Sequence, residues 1–183
     1  MSTLLSRAAF AALLPALLFS PCLAHAERAD RNQPVNIESD QVNVDDRNKV
    51  HIFEGNVVLT QGTLTIKGDK LVVTQDAEGF EKGVATANGN RLATFRQKRE
   101  GANTWIEGEA ERIEYDSHTE RARLYQRAHV KSGGNEVRGH YVEYDAMSEN
   151  YLVTDAPGSK STEAIRVQVV IPPKGSNGNA GKR

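Results

Sequence analysis

Histidine and cysteine are the side chains best suited to metal binding or nucleophilic chemistry, and this sequence contains few of them. Four histidines follow residue 26: His51, His118, His129 and His140. None forms an H-x-H motif, and none lies at a spacing from Asp or Glu that would converge on a metal ion. We therefore expect turn and surface histidines, no metal site and no cofactor.

Acidic side chains are more numerous, and the most regularly spaced are Glu107, Glu109 and Glu111. In a strand this spacing places all three carboxylates on one side, spread along its length, which is typical of a solvated face and not of an acid–base pair. Residues 27–183 contain no G-x-S-x-G motif and no Cys–His set. We predict that the protein is not an enzyme.

The stretch around which the chain is organised runs from Phe53 to Val73 and reads FEGNVVLTQGTLTIKGDKLVV. Apolar and polar residues alternate in three runs, Asn56–Thr60, Thr63–Lys67 and Lys70–Thr74, which Gln61-Gly62 and Gly68-Asp69 separate. A period of two gives each strand one apolar and one polar face. Because the gaps are so short, we predict tight antiparallel connections between the three runs.

An internal repeat extends this pattern to the rest of the chain. A shift of 71 residues places Val42 on Ile113, Leu59 on Val130 and Gly68 on Gly139, without a gap over about thirty positions. Repeats of this size are typical of stacked strand pairs that cannot bury their apolar faces alone. With regular strand–turn spacing and no helical period, the sequence predicts an all-β sandwich, barrel or roll.

The apolar faces allow two interpretations. Valine, isoleucine and leucine form the core of a sandwich, but left open along the stack they would form a slot suited to straight acyl chains. From the alternation and the repeat we assign to this face Phe53, Val57, Leu59, Ile66, Val73, Ile113 and Tyr115. The alternation from Arg91 to Gln97 does not decide which of its faces is buried.

Residues 1–26 are predicted to be a cleaved secretory signal peptide. Arg7 precedes an apolar run from Ala8 to Phe19, and Ala24-His25-Ala26 is an A-x-A cleavage site. The alternative, an uncleaved anchor, would need about 20 apolar residues. Cys22, the only cysteine, follows a proline where a lipid-modified cysteine needs a small residue, so we expect the exported chain to use no disulfide.

Composition excludes a general nucleic-acid binder. Arg7 is the only charged residue before position 27, so the mature chain has 22 basic residues of the 23 in the sequence against 24 acidic ones, a net charge of −2. A protein that binds nucleic acid without sequence preference would carry a concentrated basic face. We predict one domain over residues 27–171 and a disordered tail over residues 172–183.

Five segments resemble the OstA-like family of periplasmic lipopolysaccharide-transport bridge proteins. They are QPVNIESDQ (33–41), residues 53–73, ANGNRLATF (87–95), IEGEAERIEYD (106–116) and GGNEVRGHYVEYD (133–145). The resemblance runs in order from Gln33 to Ile171, and its G-N-V-x-[LV]-x-Q-G motif also occurs in the N-terminal domain of the outer-membrane translocon. The absence of a large barrel before Arg183 favours the stand-alone bridge.

The resemblance implies a fold, a function and partners. The fold would be a twisted, open antiparallel β-jelly roll with an apolar interior. The function would be to carry lipopolysaccharide, through its lipid A moiety, from an inner-membrane LptC-type component to an outer-membrane LptD-type translocon. By position in the family, the acyl-chain contacts would include Val35, Ile37 and Phe95.

An open roll leaves an unpaired strand at each end, and unpaired edges are templates for pairing. We expect the two edges to carry Val42 and Val44 at one end, and Ile165, Val167, Val169 and Ile171 at the other. Addition of the next protein's strand would link copies head-to-tail into rods and would also dock the membrane partners.

Two other functions stay open at this point. A carbohydrate-binding jelly roll would need exposed aromatic residues for sugar stacking, and Trp105 is the one candidate. An exported hydrolase would need a catalytic constellation that the motifs do not supply.

Overall fold

The computed structural model describes residues 30–99, 102–154 and 167–171. These residues form twelve β-strands after a short 3-10 turn at Asp30–Asn32, with no α-helix among them. The signal peptide, the tail and Ile165 lie outside the described residues. The strands are β1 (Asn36–Glu38), β2 (Gln41–Asp45), β3 (Val50–Gln61), β4 (Leu64–Asp76), β5 (Gly79–Thr86), β6 (Ala93–Lys98), β7 (Trp105–Ala110), β8 (Arg112–Asp116), β9 (Arg121–Ser132), β10 (Asn135–Asp145), β11 (Asn150–Thr154) and β12 (Gln168–Val170).

Four long strands, β3, β4, β9 and β10, each belong to two sheets. The first half of β3 pairs with β2 and its second half with β1, and the other three long strands divide in the same way. Sheet I therefore has the order β2-β3-β4-β5-β8-β9-β10-β11, and sheet II the order β1-β3-β4-β6-β7-β9-β10-β12. All pairings are antiparallel, which confirms the predicted open β-jelly roll.

Each long strand passes from one sheet to the other through a local irregularity. The register between β3 and β4 shifts between Glu54 and Val57, where Gly55 and Asn56 have positive φ. The register between β9 and β10 shifts between Gly139 and Tyr141, opposite Gln126 and Arg127, which also have positive φ. Such bulges bend a strand and re-aim its side chains.

The predicted connection at Gly68-Asp69 is wrong. Lys70–Thr74 and most of Thr63–Lys67 belong to one continuous strand, β4, and Gly68 lies at its bend. A Cβ atom at Gly68 would lie 2.7 Å from the carbonyl oxygen of Thr86, so glycine is needed here for a close approach of two backbones. The true turn between β3 and β4 is at Gly62-Thr63.

The predicted repeat is confirmed by the strand bounds. Adding 71 to the limits of β2 and β3 gives the limits of β8 and β9, and Gly62 and Gly133 share a positive φ. We define repeat 1 as residues 36–98 and repeat 2 as residues 107–170. The core lies between the two sheets, where Phe95 of sheet II contacts Tyr115 of sheet I with ring centroids 6.2 Å apart.

Candidate functional site

The inner faces of the sheets carry rows of apolar side chains that cross the molecule. Residues directly opposite each other on neighbouring strands point to the same side of a sheet, so the strand registers define each row. Stripe A, on sheet I, is Val42, Phe53, Leu71, Ala85, Ile113, Leu124, Val142 and Val153. Stripe B, on sheet II, is Ile37, Leu59, Ile66, Phe95, Gly108, Val130, Val137 and Val169.

Exposure rises along both stripes from the centre to the edges. The central apolar side chains, from Leu71 to Val142 in stripe A and from Leu59 to Val130 in stripe B, are at most 2% exposed. The next residues outward are half-buried. At the edges, Val42 is 51% and Val169 is 54% exposed. The interior is therefore packed in the middle and open at two opposite ends.

The predicted groove residues divide between the packed centre and its N-terminal flank. Val35, Ile37 and Phe53 are half-buried and pack against the core from the N-terminal side. The remaining seven are buried in the core: Val57, Leu59, Ile66, Val73, Phe95, Ile113 and Tyr115. Burial raises the pKa of Tyr115, because the charged phenolate would lose its hydration.

The predicted edge residues that the structure describes lie on or beside strands with a single neighbour among the described strands. Val42 and Val44 are on β2, whose described partner is β3, and both are about half exposed. Val169 is on β12, whose described partner is β10. Val167 and Ile171 flank that strand and are exposed as well.

Sequence reasoning missed a second C-terminal edge strand, β11, which has β10 as its single neighbour among the strands that the structure describes. Val153 and Tyr151 of β11 pack against the core, and Leu152 points outward and is exposed. The repeat also aligns Leu59, Ile66 and Val73 with further interior residues that the groove assignment left out: Val130, Val137 and Tyr144. The repeat could have supplied them.

On the side of the molecule away from the bends, the strand ends of sheet I face the strand ends of sheet II. We call this side the mouth. A cleft of about 530 Å³, lined mainly by repeat 1 and the segment before it, separates the N-terminal segment and Gln61 from Gln75, Phe80 and Ser117, of which Ser117 belongs to repeat 2. Asp30 is buried beside it and accepts hydrogen bonds from the Thr63 amide at 2.8 Å and hydroxyl at 2.5 Å.

Beside repeat 2, a half-buried ion pair connects the end of a sheet II strand with the turn before β11 of sheet I across the mouth. Arg99, just after β6, donates from Nε to Glu149 Oε1 at 3.3 Å, and a second contact makes the pair bidentate. Glu149 raises the pKa of Arg99, chiefly through this hydrogen bond. The mouth is thus an open cleft near the N-terminal segment, and it is bridged farther along by the ion pair between Arg99 and Glu149.

The outer face of sheet II holds the most buried histidine. His129 is 6% exposed, and its ring nitrogens lie 3.1 Å from Glu109 Oε1 and 3.1 Å from Glu136 Oε2. The expectation of turn and surface histidines is therefore wrong for His129. The hydrogen bond from its ring lowers the pKa of Glu136. Within the described ranges, no group of three or more His, Cys, Asp or Glu side chains is arranged to hold a metal ion.

Trp105 is not a free platform for a sugar ring. The Arg96 guanidinium carbon lies 3.9 Å from the centroid of the indole ring, so one face of the ring is covered by a cation–π contact. No helix in the part of the chain that the structure covers is long and apolar enough to cross a membrane.

These features define a class of protein: an open-ended antiparallel β-jelly roll with an apolar interior that reaches both edges. A family model described as LptA/(LptD N-terminal domain) LPS transport protein matches residues 36–150. The chain belongs to this lipopolysaccharide-transport family.

Individual relatives agree with the family match. The chain is 31% identical to the lipopolysaccharide export system protein LptA of Haemophilus influenzae, over 83% of this chain and 88% of that protein. It is 30% identical to LptA of Escherichia coli K12, over 84% and 82% of the two chains.

A solved structure extends the likeness to the fold. The crystal structure of LptH, the LptA homologous periplasmic component of the lipopolysaccharide transport device of Pseudomonas aeruginosa, superposes with a TM-score of 0.72 at 28% identity. The superposition covers 79% of this chain and 99% of LptH. The chain is thus an LptA-like jelly roll with a role in lipopolysaccharide transport.

Proposed function

We propose that this protein is a periplasmic, non-enzymatic carrier that shields the acyl chains of lipopolysaccharide between stripes A and B. It bridges an inner-membrane LptC-type component and an outer-membrane LptD-type translocon. One observation carries the proposal: both stripes run from edge to edge, and each molecular end exposes one of them, stripe A at Val42 and stripe B at Val169, while Ile37 and Val153 are half-buried. In a closed sandwich, the row of apolar core residues would end before the edge strands.

The free energy of transfer explains why such a path is useful. Burial of one CH₂ group contributes about 0.8 kcal/mol, so an acyl chain of about twelve carbons resists entering water by roughly 10 kcal/mol. Several such chains on one lipid make unassisted crossing of an aqueous compartment negligibly slow. A continuous apolar path removes most of this barrier without chemistry, and the sugar head stays in water at the mouth.

Lipid entry requires the two sheets to move apart, because the central side chains are packed at 2% exposure or less. The bends of the four long strands are the natural hinge, since each of these strands runs through both sheets. The cleft at the mouth of repeat 1 supplies the first opening, with half-buried Val35 and Phe80 in its lining. The polar lining of the rest of this cleft suits the boundary between acyl chain and sugar.

Site-specific photo-crosslinking tests the proposal with neighbours that point to opposite faces. A benzophenone amino acid at Ile37 or Phe95 faces the interior, whereas the same probe at Glu38 or Arg96 faces outward. With labelled lipopolysaccharide, we expect several-fold more capture at Ile37 and Phe95 than at their neighbours. Equal capture at all four positions would contradict the proposal.

The carbohydrate-binding alternative predicts a different result in the same experiment. A probe at Trp105 would then capture the ligand, and glycan without acyl chains would compete. Capture at Phe95 that is competed by lipid A and not by the delipidated glycan supports the carrier.

A further inference from the structure

The interior changes from apolar to polar where repeat 2 reaches the mouth. Ser132 comes two residues after Val130 of stripe B and therefore points inward from sheet II. Tyr144 comes two residues after Val142 of stripe A and points inward from sheet I. Tyr151 lies directly opposite Tyr144, with ring centroids 5.0 Å apart. Three side chains with hydroxyl groups thus line the interior between the stripes and the mouth.

Two of these hydroxyl groups are buried and lack a hydrogen-bond partner. Ser132 is 7% exposed, and neither its Oγ atom nor the Tyr151 hydroxyl makes a hydrogen bond of normal geometry within the part of the chain that the structure describes. Burial raises the pKa of Tyr151 and the Ser132 hydroxyl opposes this rise, so the two groups are neighbours. A buried polar group without a partner is unfavourable, and both hydroxyls would gain from a ligand that supplies acceptor oxygens.

The ion pair between Arg99 and Glu149 lies beside these hydroxyl groups. Tyr151 and Tyr144 raise the pKa of Arg99 after the larger effect of Glu149, which places both phenols near the guanidinium group. A Cβ atom at Gly133 would lie 3.8 Å from Arg99 Nη1, so the guanidinium group also lies against the β9–β10 turn. The side chains of the pair are 27% and 34% exposed, so water reaches them and another anion can replace Glu149.

Arg99 is well placed to exchange one anion for another. Its amide donates a hydrogen bond to the carbonyl oxygen of Thr104 at 2.9 Å, which fixes the backbone across the β6–β7 turn. Its guanidinium group binds two oxygens at once, in carboxylates and in phosphates alike. A phosphate monoester carries about two negative charges and three acceptor oxygens, against one charge and two oxygens for Glu149. A phosphate brought to the mouth would therefore compete well with Glu149.

We propose that Arg99 binds a phosphate monoester on the head of the transported lipid, and that Glu149 holds this place until the lipid arrives. The hydroxyl groups of Ser132 and Tyr151 donate hydrogen bonds to oxygens of the same head group. The ligand class is a phosphorylated glycolipid, such as lipid A. This inference rests on the proposed function, because acyl chains between the stripes bring the phosphate to the mouth.

The mouth of repeat 1 lacks the features of this site. The shift of 71 residues places Gln61 and Val73 at the positions of Ser132 and Tyr144. The Gln61 side-chain amide already donates to the Gln33 carbonyl oxygen at 3.2 Å. The carboxylate of Asp30 is buried at the same place and would repel a phosphate. The charges and hydroxyl groups therefore assign the head group to the repeat 2 side of the mouth.

Replacement of Glu149 by phosphate has a structural consequence. The ion pair connects the end of β6 in sheet II with the turn before β11 in sheet I. When phosphate occupies Arg99, this connection between the sheets is lost and the sheets separate more easily. A ligand shifts such an equilibrium only through its different affinities for the two states, so a lipid without phosphate would leave the connection closed.

A pair of lipids that differ only in phosphate tests the site. Lipid A and the same lipid after enzymatic removal of its phosphates are titrated against the mature chain, with the photo-crosslinker at Phe95 as the readout. We expect half-maximal capture of lipid A at about a tenfold lower concentration, as for one charge-assisted hydrogen-bonded contact. Arg99→Gln should remove this preference, and Arg99→Lys should keep part of it. Glu149→Gln should increase it several-fold, because the competing carboxylate is gone.

The opposite signs of these variants distinguish binding from a structural role. Arg99→Gln and Glu149→Gln break the same ion pair, so a merely structural pair would shift the capture of both lipids in the same direction in both variants. That result would overturn the inference. Arg123→Gln is the matched control, since the Arg123 side chain is also 27% exposed and pairs with Glu143, but on the outer face of sheet I. It should keep the preference of the parent, and its loss there would count against Arg99.

Two further outcomes separate the source of the phosphate and the proposed function. Inorganic phosphate should remove the preference only in large excess over lipid, because it lacks the acyl chains that raise the effective concentration of the head group. Removal at concentrations similar to that of lipid A would make this a site for free phosphate and overturn the lipid assignment. Equal capture of both lipids by the parent would overturn the phosphate site alone. Failure to capture either lipid at Phe95 would overturn the carrier and this inference together.

Discussion

The two repeats share a backbone but carry different chemistry on the outer face of sheet I. One cross-strand row runs along this face from Ile52 through Val72 and Val84 in repeat 1. Where β5 pairs with β8, the same row passes into repeat 2 and continues as Glu114, Arg123 and Glu143. A half-buried aliphatic row thus becomes a row of charged residues, in which Arg123 pairs with Glu143, at the same strand register.

Aromatic residues divide in the same way. The three phenylalanines among the described residues, Phe53, Phe80 and Phe95, all lie in repeat 1, whereas all five tyrosines of the chain lie between residues 115 and 151 in repeat 2. The inward apolar residues and the bends are what the repeats have in common. The shared fold of the two repeats therefore depends on the inward apolar residues and on the bends. It does not depend on the chemistry of the outer row.

Substitution of an interior residue should cost the most, and by a similar mechanism in both repeats. Leu71 and its equivalent Val142 are both fully buried. We expect Leu71→Ala to lower the free energy of unfolding by about 2–5 kcal/mol through lost burial and a cavity, and Val142→Ala by roughly 2 kcal/mol because two methyl groups are lost. Urea denaturation followed by circular dichroism measures both. Val42→Ala, at a half-exposed edge, is the control, and a Val142→Ala variant as stable as the parent would break the equivalence.

The glycines at the bends of β4 and β10 should respond unequally. In Gly68→Ala the new methyl group would lie 2.7 Å from a backbone carbonyl oxygen, whereas in Gly139→Ala it would lie 2.8 Å from a methyl group of Val153 on an edge strand. Backbone cannot yield as a side chain can, so we expect a loss of about 1–3 kcal/mol for Gly68→Ala and less for Gly139→Ala. Thermal denaturation checks the order. Val153→Ala should restore the stability of Gly139→Ala, and failure of that rescue would count against the contact.

Alternation and the repeat predicted most of the strands and the parity of the interior. The period of two correctly placed Val57, Leu59 and Ile66 in the interior, where all three are buried. Parity is a sensitive prediction, since an error of one residue would have turned all three side chains to the solvent. The bend at Gly68 was mistaken for a turn, because Gly-Asp is a turn signal locally and only the distant Thr86 shows why glycine is there.

Long-range pairing is what the sequence could not supply. His129 is buried because Glu109 of β7 and Glu136 of β10 come to either side of it, and no local pattern relates those strands. Strand β11 could not be identified as an edge from the sequence, since edges are decided by the order of strands in the sheet. The same order decides that Phe95, and not Arg96, faces the interior.

The bends of β3 and β9 should respond with opposite signs. Gly55 has a φ of 80°, and a Cβ atom there would lie 2.2 Å from an Asp40 carboxylate oxygen. We expect Gly55→Ala to lose about 1–2 kcal/mol, since a left-handed conformation is unfavourable for an L-residue. Gln126 has a φ of 61°, so Gln126→Gly relieves strain, and we expect between no change and a gain of about 1 kcal/mol after the entropic cost of glycine. Denaturant midpoints decide, and a loss in both variants would break the comparison.

The smallest effect should come from the outer row and should appear only in acid. Hydrogen bonds from Arg123, and then from Tyr141, hold the pKa of Glu143 below its usual 4.5. A carboxyl group with a lowered folded-state pKa contributes stability above its unfolded-state pKa, and this contribution is lost as the pH falls through the folded-state value. Replacing the pair by the residues of repeat 1, in Arg123→Ile with Glu143→Val, should change the free energy of unfolding at pH 7 by less than about 1 kcal/mol. It should also reduce the loss of stability below pH 4.5.

Urea midpoints between pH 3 and 7 measure how steeply stability depends on pH. Val72→Thr is a control that has no titrating group and should parallel the parent. Other carboxylates with lowered pKa values, such as Asp145 and Asp116, keep part of the acid dependence in every variant. An unchanged slope in the double variant would mean that the charged row of repeat 2 is as inert to pH as the aliphatic row of repeat 1.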